Sequence, residues 1–181
     1  RDCLLSRGLG DVYKRQQWTH AVADNLADGE RGGFLVWGDP GLFESTLAIV
    51  KKLIAAVDAD GGVPIELNVI PGISSSLSLA SRHQIPLNRQ GRALQISPAR
   101  LLANGMPEGV DDVIVMLDGR QTFSLIDPTD IDIYWAAYIG TPDEILISGD
   151  LAEVREEIRS ARADAEKRLG WVFDTYLLRR R

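Results

Sequence analysis

Apolar residues along this chain alternate between short runs and helical stripes. Phe34 to Trp37 is an apolar run with the length of a buried strand, and Ile65 to Ile70 reads as a second strand. Between them, Leu42, Thr46, Ile49, Leu53, Ile54 and Val57 fall on one face of a predicted helix over 42–57, with Glu44 near its start. An earlier stripe at Trp18, Val22, Ala23, Leu26 and Ala27 predicts another helix, ended by the glycine-rich 28–33 turn. A further helix is expected from the Ser74–Ser76 triplet to His83.

After Ile85 the pattern changes. Pro86 and Gly91 bracket a polar, non-periodic piece, which reads as a linker. Strands are predicted at Ala93–Ile96, Asp112–Asp118, Ile131–Ile139, Glu144–Ile147 and Trp171–Leu178. A short helix at 99–103 follows Ser97-Pro98, and a long one carries Leu151, Val154, Ile158, Ala161, Ala165 and Leu169 along one stripe. Strand-helix alternation in the first part predicts a parallel α/β sheet, and the strand-rich second part a mixed sheet. Domain boundaries are expected at 17–87 and 88–181. Residues 1–16 have no periodicity and no signal-peptide shape, and Asp11 to Gln16 resembles a translated adapter, so this segment is set aside as a non-native tail.

Composition narrows the function classes. The 181 residues are 45% hydrophobic and 25% charged, an ordinary globular balance. Twenty-six acidic residues against 20 basic ones give a net charge of -6, which argues against general nucleic-acid binding. No apolar run approaches the ~20 residues of a membrane span. A single cysteine, Cys3, allows no internal disulfide and suits a reducing, cytoplasmic setting. Two histidines leave no zinc-type spacing, and no metal is expected.

Candidate chemistry sits where strands end. Gly38-Asp39-Pro40-Gly41 breaks the first strand, with glycines that allow close backbone approach and a carboxylate in the same loop. Pro71-Gly72-Ile73-Ser74-Ser75 is the second junction; its serines either cap the next helix or hold a ligand with hydroxyls and helix N-terminal amides. Leu117-Asp118-Gly119-Arg120 is the third. The carboxyl ends of strands are where open α/β sheets bind small molecules. From Leu67 to Pro107 there is no acidic residue, while Arg82, His83, Arg89, Arg92 and Arg100 lie within that span. These arginines are either scattered surface charges or a local field for an anionic ligand.

Trp37-Gly38-Asp39-Pro40, Val69-Ile70-Pro71-Gly72-Ile73-Ser74-Ser75 and Gly140-Thr141-Pro142-Asp143-Glu144, in this order, resemble the tetrapyrrole methylases. Trp37 to Thr46, Ile96 to Leu102 and Met116-Leu117-Asp118-Gly119 carry a closer likeness to the branch acting on precorrins in cobalamin synthesis. The resemblance implies two α/β domains with S-adenosyl-L-methionine in the cleft between them, a C-methyltransferase that also releases acetate from a precorrin substrate, and a homodimer. It implies that Gly38, Asp39, Leu42, Phe43, Ser74, Ser75, Leu117, Ile139, Gly140 and Thr141 line the cofactor. A carboxylate-rich tetrapyrrole suits Arg82, Arg89 and Arg92 as substrate contacts. Asp39 is a candidate to assist deacylation, with service to the cofactor as its alternative, and His83, Asp118 and Tyr134 are others, each with a structural alternative. Family members open with a strand, a glycine-rich loop and a helix. No such motif stands before Gln17, so the chain is expected to be a piece with an incomplete first sheet, and an inactive fragment or another methylase of the family are the rival readings.

Overall fold

The computed structural model describes Gln17, Asn25, Ala27 and residues 29–181. The chain divides into two units between Ser74 and Ser75. The division precedes the helix that ends at His83, rather than falling in the polar segment around Pro86. The expected tail at 1–16 and most of the expected helix at 18–27 lie outside the described residues.

In the first unit, α1 spans Thr46–Ala59 and buries Ile49, Val50 and Leu53. It begins later than its apolar stripe predicts. Leu42 to Ser45 form a turn instead, in which Phe43 takes a left-handed φ of 51°. The turn ends in a cap made by Glu44, whose Oε1 accepts from the Thr46 amide (2.9 Å) and the Thr46 hydroxyl (2.7 Å). Glu44 thus satisfies a free helix N–H directly. Neither Phe34–Trp37 nor Ile65–Ile70 takes part in a β-ladder among the described residues. An apolar run marks a candidate strand, but a ladder also needs a neighbour in register. Leu35 and Ile70 stand 87% and 78% exposed, where the pattern predicts burial.

The second unit follows its pattern closely. α2 (Ser75–His83) is followed by β1 (Leu94–Pro98), β2 (Asp112–Met116), β3 (Ile131–Ala137), β4 (Ile145–Asp150), α3 (Leu151–Leu169) and β5 (Asp174–Arg180). One-turn 3-10 helices at Ala99–Leu102 and Thr122–Leu125 connect the early strands. The sheet order is β1-β2-β5-β3-β4. It is mixed, as expected: β1 and β2 are parallel, and β5 runs antiparallel to both β2 and β3.

Alternation of side chains splits the core between the two faces of the sheet. Val113, Val115, Ile133, Trp135, Tyr176 and Leu178 face one way and pack with Leu151, Ile158 and Ala165 of α3. Ile114, Ala136 and Leu177 face the other way and pack with Leu79 of α2. α3 starts at Leu151 because the Asp150 carboxylate accepts from the Ala152 amide at 2.8 Å. It stops at Gly170, whose φ of 82° suits a residue without Cβ. Arg162, not Leu169, completes its buried face, since it lies four residues after Ile158 and three before Ala165.

Candidate functional site

The register puts one edge of the second unit's sheet to use. Met116, at the end of β2, pairs with Thr175, and Ala137, at the end of β3, pairs with Asp174. β2 and β3 both oppose β5, so their carboxyl ends open on the same edge. The Leu117 turn and the Ile139-Gly140-Thr141 turn therefore emerge from the same end of the sheet, on either side of β5.

Both turns begin with a non-glycine residue in left-handed backbone, Leu117 at φ 58° and Tyr138 at φ 52°. Phe43, in the first unit's loop, is a third. For leucine and aromatic residues this conformation is an outlier that surrounding contacts must hold, and such outliers gather at functional sites. The contacts are visible. Around Leu117, the Asp118 carboxylate accepts four hydrogen bonds: from the Thr122 amide (2.6 Å), the Tyr176 hydroxyl (2.7 Å), the Arg120 amide (3.0 Å) and the Thr122 hydroxyl (3.0 Å). The Asp118 carbonyl accepts from the Arg162 guanidinium (3.2 Å), which also pairs with Asp174 at 3.2 Å. The Trp135 indole N–H donates to the same Asp174 oxygen (3.1 Å). Around Tyr138, the Thr141 amide and hydroxyl both donate to its carbonyl, and the Glu144 carboxylate accepts from the Gly140 amide (2.8 Å) and from Arg82.

The charges follow from these partners. Burial pushes Asp174 from 3.8 up to about 6, against the pull of Arg162 and the Trp135 indole. Burial, then the negative Asp118, raises the Tyr176 phenol well above 10.0, so it stays a donor to Asp118. The Arg82 hydrogen bond, then that from the Gly140 amide, holds Glu144 below the usual carboxylate range. His83 is lowered by burial; its Nε2 lies 3.1 Å from the Trp135 carbonyl and must donate there, while its ring stands edge-on to Tyr134. His83, Tyr134 and Asp118 are thus all engaged in structural contacts.

In the first unit, Asp39 joins the two candidate loops. Its Oδ1 accepts from the Gly41 amide (2.7 Å) and its Oδ2 from the Gly72 amide (3.0 Å). Gly72 approaches so closely that a Cβ there would lie 2.0 Å from the Gly38 carbonyl oxygen. Gly38 and Asp39 are therefore brought against the turn that leads to Ser74. Ser74 is buried, and Ser75 opens α2. Leu42 is half-buried, while Phe43 is largely exposed.

The three arginines proposed for an anionic substrate do not converge. Arg89 pairs with Asp112 (3.2 Å) and Arg92 with Asp111, both at the amino end of β2 and opposite the rim that carries Leu117. Only Arg82, through Glu144, stands beside a candidate loop. The acid-free stretch is not an isolated positive field, because carboxylates from outside it fold back onto it. Sequence reading missed Arg162, Asp174 and Tyr176 as parts of the site's support. Helical spacing would have found Arg162, and strand alternation Tyr176.

Comparison with known proteins fits this arrangement. The profile of the tetrapyrrole (corrin/porphyrin) methylases matches residues 9–155. The chain belongs to the tetrapyrrole methylases. The match opens inside the segment set aside above as a tail. The chain is 44% identical over 159 residues to a precorrin-6A synthase [deacetylating] from Sinorhizobium, covering 88% of this chain and 59% of that protein. It is 24% identical over 127 residues to a cobalt-precorrin-2 C(20)-methyltransferase from Salmonella typhimurium, covering 66% of this chain and 50% of that one. The crystal structure of a cobalamin synthesis related protein (CobF) from Corynebacterium diphtheriae superposes with a TM-score of 0.82 at 29% identity, over 96% of this chain and 73% of that chain. The matches thus span 59% and 50% of the lengths of these two curated relatives. Among the chain's described residues, no helix is long and apolar enough to cross a membrane, and no cluster of His, Cys, Asp or Glu is placed to hold a metal.

Proposed function

We propose that this chain carries the S-adenosyl-L-methionine site of a C-methyltransferase of cobalamin biosynthesis, acting on precorrin-5 to give precorrin-6A with release of acetate. The observation that carries this reading is the 44% identity to precorrin-6A synthase over 88% of the chain. The residues present suit the cofactor's chemistry. An adenosyl group offers an apolar ring face and polar edges, and the candidate loops offer exposed Leu117 and Phe43 side chains beside tightly turned backbone. Gly38, Asp39, Leu42, Phe43, Ser74, Ser75, Leu117, Ile139, Gly140 and Thr141 are the residues that the family resemblance gives for holding it.

When bound, the cofactor supplies an electrophilic sulfonium methyl. The chain's own residues then need to supply no nucleophile, because the ring carbon attacked is itself electron-rich. Their part is to fix geometry, which well-oriented groups convert into large rate gains. Asp39 does this by lacing the Gly41 and Gly72 turns, and Glu144 by holding Gly140. Arg82 is the arginine best placed to meet a substrate carboxylate, through its position beside Glu144. The substrate, the acetate release and a homodimer rest on the family resemblance and the curated relative.

Titration of the full chain with S-adenosylhomocysteine, followed by calorimetry, tests the site. Binding is expected, and Asp39→Ala should weaken it about tenfold through the loss of two amide contacts to a charged acceptor. Unchanged affinity in Asp39→Ala places the cofactor elsewhere. Incubation with precorrin-5 and methyl-labelled cofactor tests the reaction: label in the corrinoid without acetate sinks the deacetylating assignment.

A further inference from the structure

Leu117 is an apolar side chain 63% exposed, on a left-handed residue, immediately after β2, whose own residues are buried or nearly so. Left alone, such a residue relaxes. Four residues on, Gln121 is left-handed as well, at φ 57°. Between them sits Asp118, 4% exposed, with all four of its side-chain hydrogen bonds drawn from within the turn or from β5. Two of the donors are backbone amides, Arg120 and Thr122, which cannot turn away. The third partner residue, Tyr176, is fully buried and its ring stands edge-on to Phe123 at 5.5 Å, so its hydroxyl is fixed in place. Arg162, itself anchored by Asp174, holds the Asp118 carbonyl from the other side. This arrangement reaches further than a turn needs: it ties six consecutive residues to the packed centre of the sheet while leaving one apolar side chain outside.

We propose that Asp118 is a positioning residue, whose carboxylate fixes the Leu117–Thr122 turn so that Leu117 is presented, preformed, to the adenosyl cofactor. The proposal rests on the cofactor reading given above. Asp118 itself touches neither cofactor nor substrate. It acts through Leu117, and its contribution is that the exposed leucine need not be ordered on binding. Asparagine at 118 preserves shape but has only one accepting oxygen. Whichever way the amide turns, its NH2 faces the Arg120 or the Thr122 amide, and a buried donor loses its acceptor.

The test is a double-mutant cycle on the full chain, with S-adenosylhomocysteine affinity read by calorimetry. Asp118→Asn should weaken binding several-fold, and no further than Leu117→Ala does, because losing the placement of a side chain cannot cost more affinity than losing the side chain itself. Leu117→Ala should weaken it several-fold. In the Leu117→Ala background, Asp118→Asn should cost less than a further twofold, because its effect runs through the missing side chain. Additive losses overturn the proposal, since a merely structural Asp118 would act whatever stands at 117. If Asp118→Asn does not fold, Tyr176→Phe keeps the ring and removes one donor; a loss of about threefold is expected, and wild-type affinity overturns the proposal. If the unaltered chain binds no S-adenosylhomocysteine, the cofactor reading falls by itself. The presentation of Leu117 to that cofactor falls with it, and amide hydrogen exchange then tells the two failures apart: faster exchange confined to residues 117–122 in Asp118→Asn shows that Asp118 still fixes the turn, and unchanged exchange shows that it does not.

Discussion

Asp39 and Asp118 each tie a turn at a strand end or predicted strand end, but they stand on unlike ground. Asp39 is half-exposed and bonds only to backbone amides of its own and the neighbouring loop. Around it, Leu35, Trp37 and Ile70 are exposed, and the unit's most buried aliphatic residues, Ile49, Val50 and Leu53, are at 7–8%. Asp118 lies among residues at 0%, and its turn is bolted through Tyr176 and Arg162 to a five-stranded sheet. The same chemical device therefore has two strengths. In the first unit the loop holds itself, by close backbone approach. In the second the core holds the loop, and damage to the core should reach it.

The largest effect is expected where the core and the loop share one residue. Arg162 is 6% exposed and serves both Asp174 and the Asp118 carbonyl. Arg162→Met keeps the length of the side chain and removes the charge. Removing one partner of a buried pair costs about 3–5 kcal/mol. We expect a loss of about 3 kcal/mol in urea unfolding at pH 8, and a smaller one at pH 5, where Asp174 already tends to hold a proton. A loss below about 1 kcal/mol at pH 8 would break the contrast, because the loop would then not depend on the buried ion pair.

Asp174 gives the next effect, and its sign is the reverse of an ordinary surface carboxylate. Its pKa is raised from 3.8 to about 6 on folding. Between those values the folded chain binds the proton more tightly than the unfolded one. This group's contribution to stability is therefore full at low pH and is lost as pH rises to about 6, by at most about 3 kcal/mol. Asp127, Glu144 and Asp150 shift downward and act in the opposite sense, losing their contribution as pH falls. The clean measurement is the difference between the unaltered chain and Asp174→Asn across pH 4 to 7. The unaltered chain should lose ground to the variant as pH rises. A flat difference would show that Arg162 and Trp135 fully compensate the burial.

The same contrast governs what was legible in the sequence. β2, β3 and α3 could be read almost residue for residue, because each buries a face and burial imposes period 2 or 3.6 on the residue types. The mixed second sheet followed from them. Phe34–Trp37 and Ile65–Ile70 show the limit: an apolar run does not reveal its neighbour. α1 began four residues late, because Glu44 caps the helix by a contact that no periodicity reports. The site loops were legible as positions, since glycines and turn residues mark strand ends. Of their supports, spacing marks Arg162 and Tyr176 as inward-facing but not what they hold. Arg162 sits on the apolar stripe of α3 but is the wrong chemistry for it, and only its meeting with Asp174 and the Asp118 carbonyl makes it intelligible. The acid-free span from Leu67 to Pro107 misled for the opposite reason, since Glu144, Asp111 and Asp112 are distant in sequence and adjacent in space.

The smallest effect tests the self-held loop. Gly72→Ala adds one methyl group where the Gly38 carbonyl oxygen stands 2.0 Å away, and that oxygen belongs to backbone that can yield only by moving the whole loop. Overpacking of this kind costs about 1–3 kcal/mol. The tie from the Gly72 amide to Asp39 should break with it, freeing Gly41 as well. Amide exchange should therefore quicken at residues 38–41 and 72–74, while β2 and β5, secured by their own core, keep their protection. S-adenosylhomocysteine affinity should fall at least as far as in Asp39→Ala, because both changes part the same loops. Equal quickening in β2 and β5 would show that the first unit's loop does not hold itself, and the distinction between Asp39 and Asp118 would reduce to one of burial alone.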